Sequence, residues 1–232
     1  MADPENEISD CKSVKDIRIN RGIDFEVEIN EVDLEDVADC NVFDEFGTEV
    51  RFGDLYKHRK TIVIFIRHFL CYTAKEYVED LAQVRSEALE NADVQLVVIG
   101  CAPWKFIPVF KRVTGFTQYA LYCDPDRHIY KKLQLREKNL SFDSGCRKES
   151  KHVKSGIISG IMKSVWRAKD HPMEFQGDVR QNGGAFVIGP GDEVHFTHYD
   201  RDAFDHAAIN TVLQAAGLPM MSFPKDPRIL HL

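Results

Sequence analysis

The chain of 232 residues is 44% hydrophobic, 10% aromatic and 29% charged, enough apolar material for one sizeable core with appendages. A formal net charge of -7 opposes general attraction to nucleic acid, whose phosphates need a basic face. The most apolar run, Thr61 to Leu70, is too short to span a bilayer and contains Arg67 and His68, and Met1-Ala-Asp-Pro-Glu-Asn-Glu7 lacks the parts of a secretion signal; no transmembrane segment is expected, and the expected compartment is the cytoplasm, with the nucleus also open.

Residues 1–38 are rich in Asp and Glu and poor in aromatics, which predicts a disordered acidic extension ahead of a domain over 39–217. Val42-Phe43 and Val50-Arg51-Phe52, with Gly47 between them, predict a hairpin, and Asp54-Leu55-Tyr56 a short helical turn. Ile62 to Ile66 is a continuous β-branched and aromatic run, the mark of a strand buried on both faces and central in its sheet. Tyr77, Val78, Leu81, Val84, Ala88 and Leu89 recur at helical spacing, which predicts one helix from Tyr72 to about Glu90, ended by Asn91-Ala-Asp93. Val94 to Gly100 reads as a second buried strand, parallel to the first through this crossover.

Trp104 to Val113 predicts a helix with Pro108 in its early part and Gly115 past its end. Tyr119 to Tyr122 predicts a short strand. Asp124-Pro125 has the form of an N-cap followed by proline at the first position of a short helix reaching Leu133. From Gln134 to Gly177 the rhythm is lost, and the segment reads as an insertion. Within it Val153, Ile157, Ile161 and Val165 share a helical face ringed by basic residues, a pattern that suits either a covering helix or an acidic partner or membrane surface. Ala185–Ile188 and Val194–Phe196 predict an antiparallel hairpin across Gly189-Pro190-Gly191-Asp192. Asp202 is placed to cap a last helix from Ala203 to Ala216, and residues 218–232 read as an irregular tail. The order of elements is that of an α/β, thioredoxin-like, three-layer domain: a mixed central sheet with helices on both faces.

Six cysteines, at 11, 40, 71, 101, 123 and 146, show no Cys-x-x-Cys pair and not the density of a disulfide scaffold, so reduced thiols are expected and no zinc. Cys71 stands where the first buried strand gives way to a helix, and unpaired N–H groups at a helix start favour a thiolate. It is the candidate nucleophile. A free thiol near a pKa of about 8.5 is only about 3% thiolate at neutral pH, and Arg67 and a protonated His68 are the supporting groups that would raise that share. A buried, inert corner thiol is the competing interpretation. Cys101 follows the second parallel strand on the same sheet edge and is the candidate resolving thiol, against the reading of an ordinary strand-end cysteine. His195, His198, Asp200, Asp202 and His206 carry metal-ligating chemistry but lack a recognised ligand spacing, and no metal or other cofactor is expected.

Arg67-His68-Phe69-Leu70-Cys71-Tyr72 with Lys75 to Ala82 closely resembles the peroxiredoxin-like 2C subfamily of AhpC/TSA antioxidant-domain proteins. Val97 to Gly100, Asp124-Pro125, Ile129-Tyr130-Lys131, Trp166-Arg167-Ala168, Phe175 to Asp178, Gly183-Gly184, Gly189-Pro190-Gly191 with His195, Phe196 and His198, and Arg201-Asp202, Asp205-His206 and Ile209-Asn210 extend the likeness over roughly Val42 to Leu213. The resemblance implies a peroxiredoxin-like version of the thioredoxin fold and thiol-dependent antioxidant chemistry, with a peroxide and a thiol reductant as partners. It also implies a second corner cysteine, whose place here holds Ala74. Laid over Thr-x-x-Cys, the attacking cysteine falls on Ala74 and the threonine on Cys71; the arginine that peroxiredoxins often carry before the penultimate strand falls near Gly183, with Arg180 nearby. A thiol oxidoreductase acting through Cys71 is therefore expected, and the alternative is a degenerate thioredoxin-fold protein that regulates signalling or metabolism by binding a partner protein.

Overall fold

Branched and aromatic side chains at every position from Thr61 to Phe65 leave that segment no wet face, and it lies inside a seven-stranded sheet. The structure is a computed structural model and describes residues 33–135, 178 and 180–223. The strands are β1 (Asn41–Phe43), β2 (Glu49–Arg51), β3 (Lys60–Phe65), β4 (Val94–Gly100), β5 (Ala120–Cys123), β6 (Gly184–Ile188) and β7 (Val194–Tyr199), in the order β2-β1-β5-β4-β3-β6-β7. The β3, β4 and β5 strands run parallel, while β1 and β6 join that core antiparallel and bring β2 and β7 to the edges.

Strand parity sorts the core into two layers. Ile62, Ile64, Leu96 and Val98 face α2 (Tyr72–Leu81), α4 (Ile107–Thr114) and α6 (Ile209–Ala215), with α3 (Ser86–Asn91) and α5 (His128–Lys132) numbered between them in the chain. Val63, Phe65, Val97 and Ile99 face α1 (Glu35–Ala38), α5 and the 3₁₀ turn Phe52–Leu55. Phe65 stands edge-on to Tyr130 and Phe186, with ring centroids 5.1 and 5.6 Å away, contacts worth roughly 0.5–1.5 kcal/mol each beyond area burial. The expected mixed sheet with helices on both faces is present.

The elements depart from expectation in specific places. The helix foreseen from Tyr72 to Glu90 is two helices: Arg85 is extended between α2 and α3, Val84 is driven into the core, and its carbonyl is taken by the Tyr119 hydroxyl. Two short helices satisfy the same apolar spacing as one long one. Trp104–Phe106 is a 3₁₀ turn ahead of α4. Asp124 does cap α5, but across an intervening turn: Arg127 is left-handed at φ 58°, and the carboxylate accepts the N–H groups of His128 and Ile129 at 3.0 and 2.8 Å. Residues 203–208 are not helical, and Asp202 instead accepts the Phe204 N–H at 2.7 Å in a tight turn. At the other end, Leu34 and Val37 are buried in the core, within the stretch expected to be disordered. The remainder of the acidic extension, the basic segment around Val153 to Val165 and the end of the tail lie outside the described residues. Among the described residues no helix is long and apolar enough to cross a membrane.

Candidate functional site

After Phe65 the chain leaves the sheet, and Ile66 still donates its N–H to the Ile99 carbonyl at 2.9 Å. Tyr130 places its hydroxyl 2.8 Å from both the Ile66 and Ile99 carbonyls, pinning the ends of β3 and β4 together. Phe69 then packs on Gly100, where a Cβ would lie 2.5 Å from its ring, and stacks on Phe110 at 4.3 Å. These contacts fix the corner. Cys71 follows with extended backbone (φ -65°, ψ 121°) at the N-cap of α2, its N–H held by the His68 carbonyl at 3.0 Å.

The Cys71 sulfur is 6% exposed as a residue and is nonetheless surrounded by groups that favour its anion. Arg67 Nη1 lies 3.6 Å away, and its Nε donates to the Gln181 carbonyl at 3.1 Å, which aims the guanidinium. The Thr73 hydroxyl is 3.0 Å from Sγ. Burial pushes the thiol up, but Arg67, the Thr73 hydroxyl, the Ala74 N–H and His206 outweigh it, and the thiol sits below its ordinary value. Ala74 itself is fully buried in the layer between sheet and helices, so its methyl fills core space where a second cysteine would stand.

His206 was read from sequence only as a weak metal candidate and as part of a helix. It reaches the corner because residues 200–208 run as a loop from β7 to α6. Its Nδ1 is 2.8 Å from Asp200 Oδ2, both side chains are almost fully buried, and the Tyr77 ring lies 4.9 Å from its own. Burial lowers the imidazole, but the Asp200 carboxylate and the Cys71 thiolate more than reverse this, leaving it above its ordinary value. No spacing rule in the sequence links His206 to Cys71. His68 is buried as well and contributes its carbonyl to the turn.

Cys101 sits at the expected sheet edge but on the other face: it belongs to the core layer of Ile99 and Tyr130, whereas Cys71 belongs to the layer of α2. Its Sγ–H donates to the Arg67 carbonyl at 2.7 Å, and burial pushes its thiol up to about 11. Strand parity carried this signal, because Cys101 follows Ile99 by two. Cys40, Cys71, Cys101 and Cys123 are all free thiols. Arg180 is more than half exposed and faces Asp178 at 3.8 Å, and a Cβ at Gly183 would lie 2.1 Å from the Phe65 carbonyl oxygen, so Arg67 is the cation at this sulfur from the chain's own corner. Among the described residues no group of three or more His, Cys, Asp or Glu is placed to hold a metal ion; His195 Nε2 contacts the Gly189 carbonyl and His198 Nε2 the Asp205 carbonyl.

The geometry has counterparts elsewhere. A solved Xanthomonas campestris bacterioferritin comigratory protein superposes with a TM-score of 0.50 at 12% identity, covering 81% of this chain and 93% of that one, and so shares the fold. The family model for AhpC/TSA antioxidant enzyme matches residues 80–202, from the last residues of α2 to the turn that carries Asp200. The peroxiredoxin-like 2C protein of Takifugu rubripes is 45% identical over 205 residues, 87% of this chain and 89% of its own length. That of Homo sapiens is 43% identical over 197 residues, 84% and 85% of the two chains. With likeness of this extent joined to a thiol at the strand-to-helix corner of a thioredoxin-like sheet, the chain belongs to the peroxiredoxin-like 2C family of AhpC/TSA proteins.

Proposed function

We propose that this chain is a thiol redox protein in which Cys71 reduces a peroxide. The observation that carries the proposal is the sulfur's setting: a buried thiol at a helix start with Arg67 at 3.6 Å and Thr73 at 3.0 Å, held below its ordinary value despite its burial. Near-closure of the site favours a small hydroperoxide. The thiolate attacks the terminal peroxide oxygen, the S–O bond forms as the O–O bond breaks, sulfur loses two electrons, and the departing alkoxide or hydroxide takes up a proton. The fold neighbour from Xanthomonas campestris is one whose alkyl peroxide reduction activity has been described, which agrees with this chemistry.

The return step is assigned to an external thiol. It attacks the sulfenic sulfur, releases water and leaves a mixed disulfide that a second thiol resolves. Cys101 is disfavoured for this role by its opposite face, its raised thiol and its bond to the Arg67 carbonyl. The test is peroxide consumption with a thiol reductant, alongside dimedone trapping of sulfenic acid, in wild type and Cys71→Ser. Trapping at Cys71 and loss of consumption in the variant are expected; unchanged consumption in Cys71→Ser removes Cys71 from the chemistry.

A further inference from the structure

The Asp200–His206 pair is buried and shares with Ile66, at the end of β3, and Tyr77 of α2 the lining of a small cavity beside the corner, and it is unused by the peroxide chemistry. Side-chain exposure is 2% for Asp200 and 4% for His206, and a buried ionic pair held only for packing is a poor device, because desolvation consumes most of what the attraction returns. The pair is constrained on every side. Asp200 Oδ2 takes the Nδ1 side of the ring, its Oδ1 lies 3.5 Å from His198 Nε2, and its N–H is held by the Gly183 carbonyl at 3.1 Å. Tyr77 of α2 covers the ring, an arrangement that suits a cation against an aromatic face. The buried His206 Nε2, on the far side of the ring from Asp200, has no hydrogen-bond partner among the described residues. The other charged groups that act on His206 are Cys71, favouring the cation, and Arg67, opposing it.

We propose that Asp200 and His206 form a buried couple that sets the charge of Cys71: Asp200 fixes and charges the ring, and the imidazolium is the second cation, after Arg67, that keeps the sulfur ionised. His206 is thus a positioning residue for the reactive thiol, and the role rests on the reading of Cys71 as that thiol. A thiolate–imidazolium pair has a property that a lone activated thiolate lacks. Its sulfur becomes nucleophilic in two steps, first as the thiol ionises, then as the imidazolium loses its proton and the thiolate's basicity rises.

The test is the pH dependence of iodoacetamide alkylation at Cys71, read by peptide mass spectrometry on the full chain in wild type, His206→Gln, Asp200→Asn and the double variant. Wild type should show two inflections. His206→Gln should show one, moved to higher pH, with the rate at pH 6 falling about tenfold for each unit of movement. Asp200→Asn should move in the same direction, and the double variant no further than His206→Gln. A folded His206→Gln with the wild-type profile overturns the proposal. Should the variants not fold, NMR titration of the His206 ring in wild type and Cys71→Ser decides it: loss of the thiolate must lower the ring's midpoint, and an unchanged midpoint overturns the couple. Two inflections without sulfenic acid formation would sink the redox reading and leave the couple standing, whereas intact peroxide consumption with an unmoved profile would do the reverse.

Discussion

Replacing Arg67 by Met removes the nearest positive charge from Cys71 while keeping an apolar stem of similar reach. At 3.6 Å the attraction of two unit charges is about 4–5 kcal/mol at an effective dielectric of about 20, equivalent to about three pKa units. Relaxation of the corner and entry of water will return part of this, so an upward movement of the Cys71 thiol by about two units is expected. Burial, which already opposes the anion, then dominates. Cys71 alkylation followed from pH 5 to 10 by peptide mass spectrometry measures the movement directly. Arg67→Lys should fall between the two, because it restores a charge without the Nε contact to the Gln181 carbonyl. Urea unfolding run in parallel should show about 1–2 kcal/mol of loss in Arg67→Met from the carbonyl left without that donor. A midpoint within about half a unit of wild type in folded Arg67→Met would refute the electrostatic account of the corner.

Gly100→Ala forces a Cβ to within 2.5 Å of the Phe69 ring, which cannot retreat because it is stacked on Phe110, so a loss of about 1–3 kcal/mol in urea unfolding is expected, and an unchanged midpoint would show that the stack yields. The raised His206 means that folding takes up a proton there: this contribution to stability is complete below about pH 6.5 and is lost as pH rises through the folded value. Cys71 titrates in the opposite sense, so the comparison belongs in a Cys71→Ser background. There the stability gap between Cys71→Ser and Cys71→Ser/His206→Gln should be larger at pH 6 than at pH 9, and a gap that is equal or wider at pH 9 contradicts the assignment.

What could be read from sequence was whatever the chain writes locally. The β3 and β4 strands announce themselves because a doubly buried strand must be apolar at consecutive positions, and Cys71 stands out because it ends such a run where helical spacing begins. The break between α2 and α3 left no trace, since Val84 and Leu89 serve either one helix or two. Residues 203–208 are ambiguous for a related reason: Asp202 has the chemistry of an N-cap, and a tight turn uses the same carboxylate-to-N–H bond. His206 was invisible from sequence because it reaches Ile66 and Tyr77 at the corner only after β6 and β7 are laid against β3. Cys101 was half legible. Its sheet edge followed from the crossover, but its face required counting strand parity past Ile99.

Gly183 limits how this corner can vary. Its backbone lies so close to β3 that an added Cβ would collide with the Phe65 carbonyl and come within 2.9 Å of Asp200 Oδ2. An arginine at this position and an acid seated where Asp200 sits are therefore competing occupants of one space. A chain can draw its cation from the position just ahead of β6 or from a buried acid–histidine pair, but passing from one to the other takes at least two coordinated changes. Members of the family that carry a side chain at this position are expected to have drawn the backbone ahead of β6 away from β3 and to have surrendered the Asp200 carboxylate, the second of which is a substitution pattern that an alignment can expose without any measurement of activity.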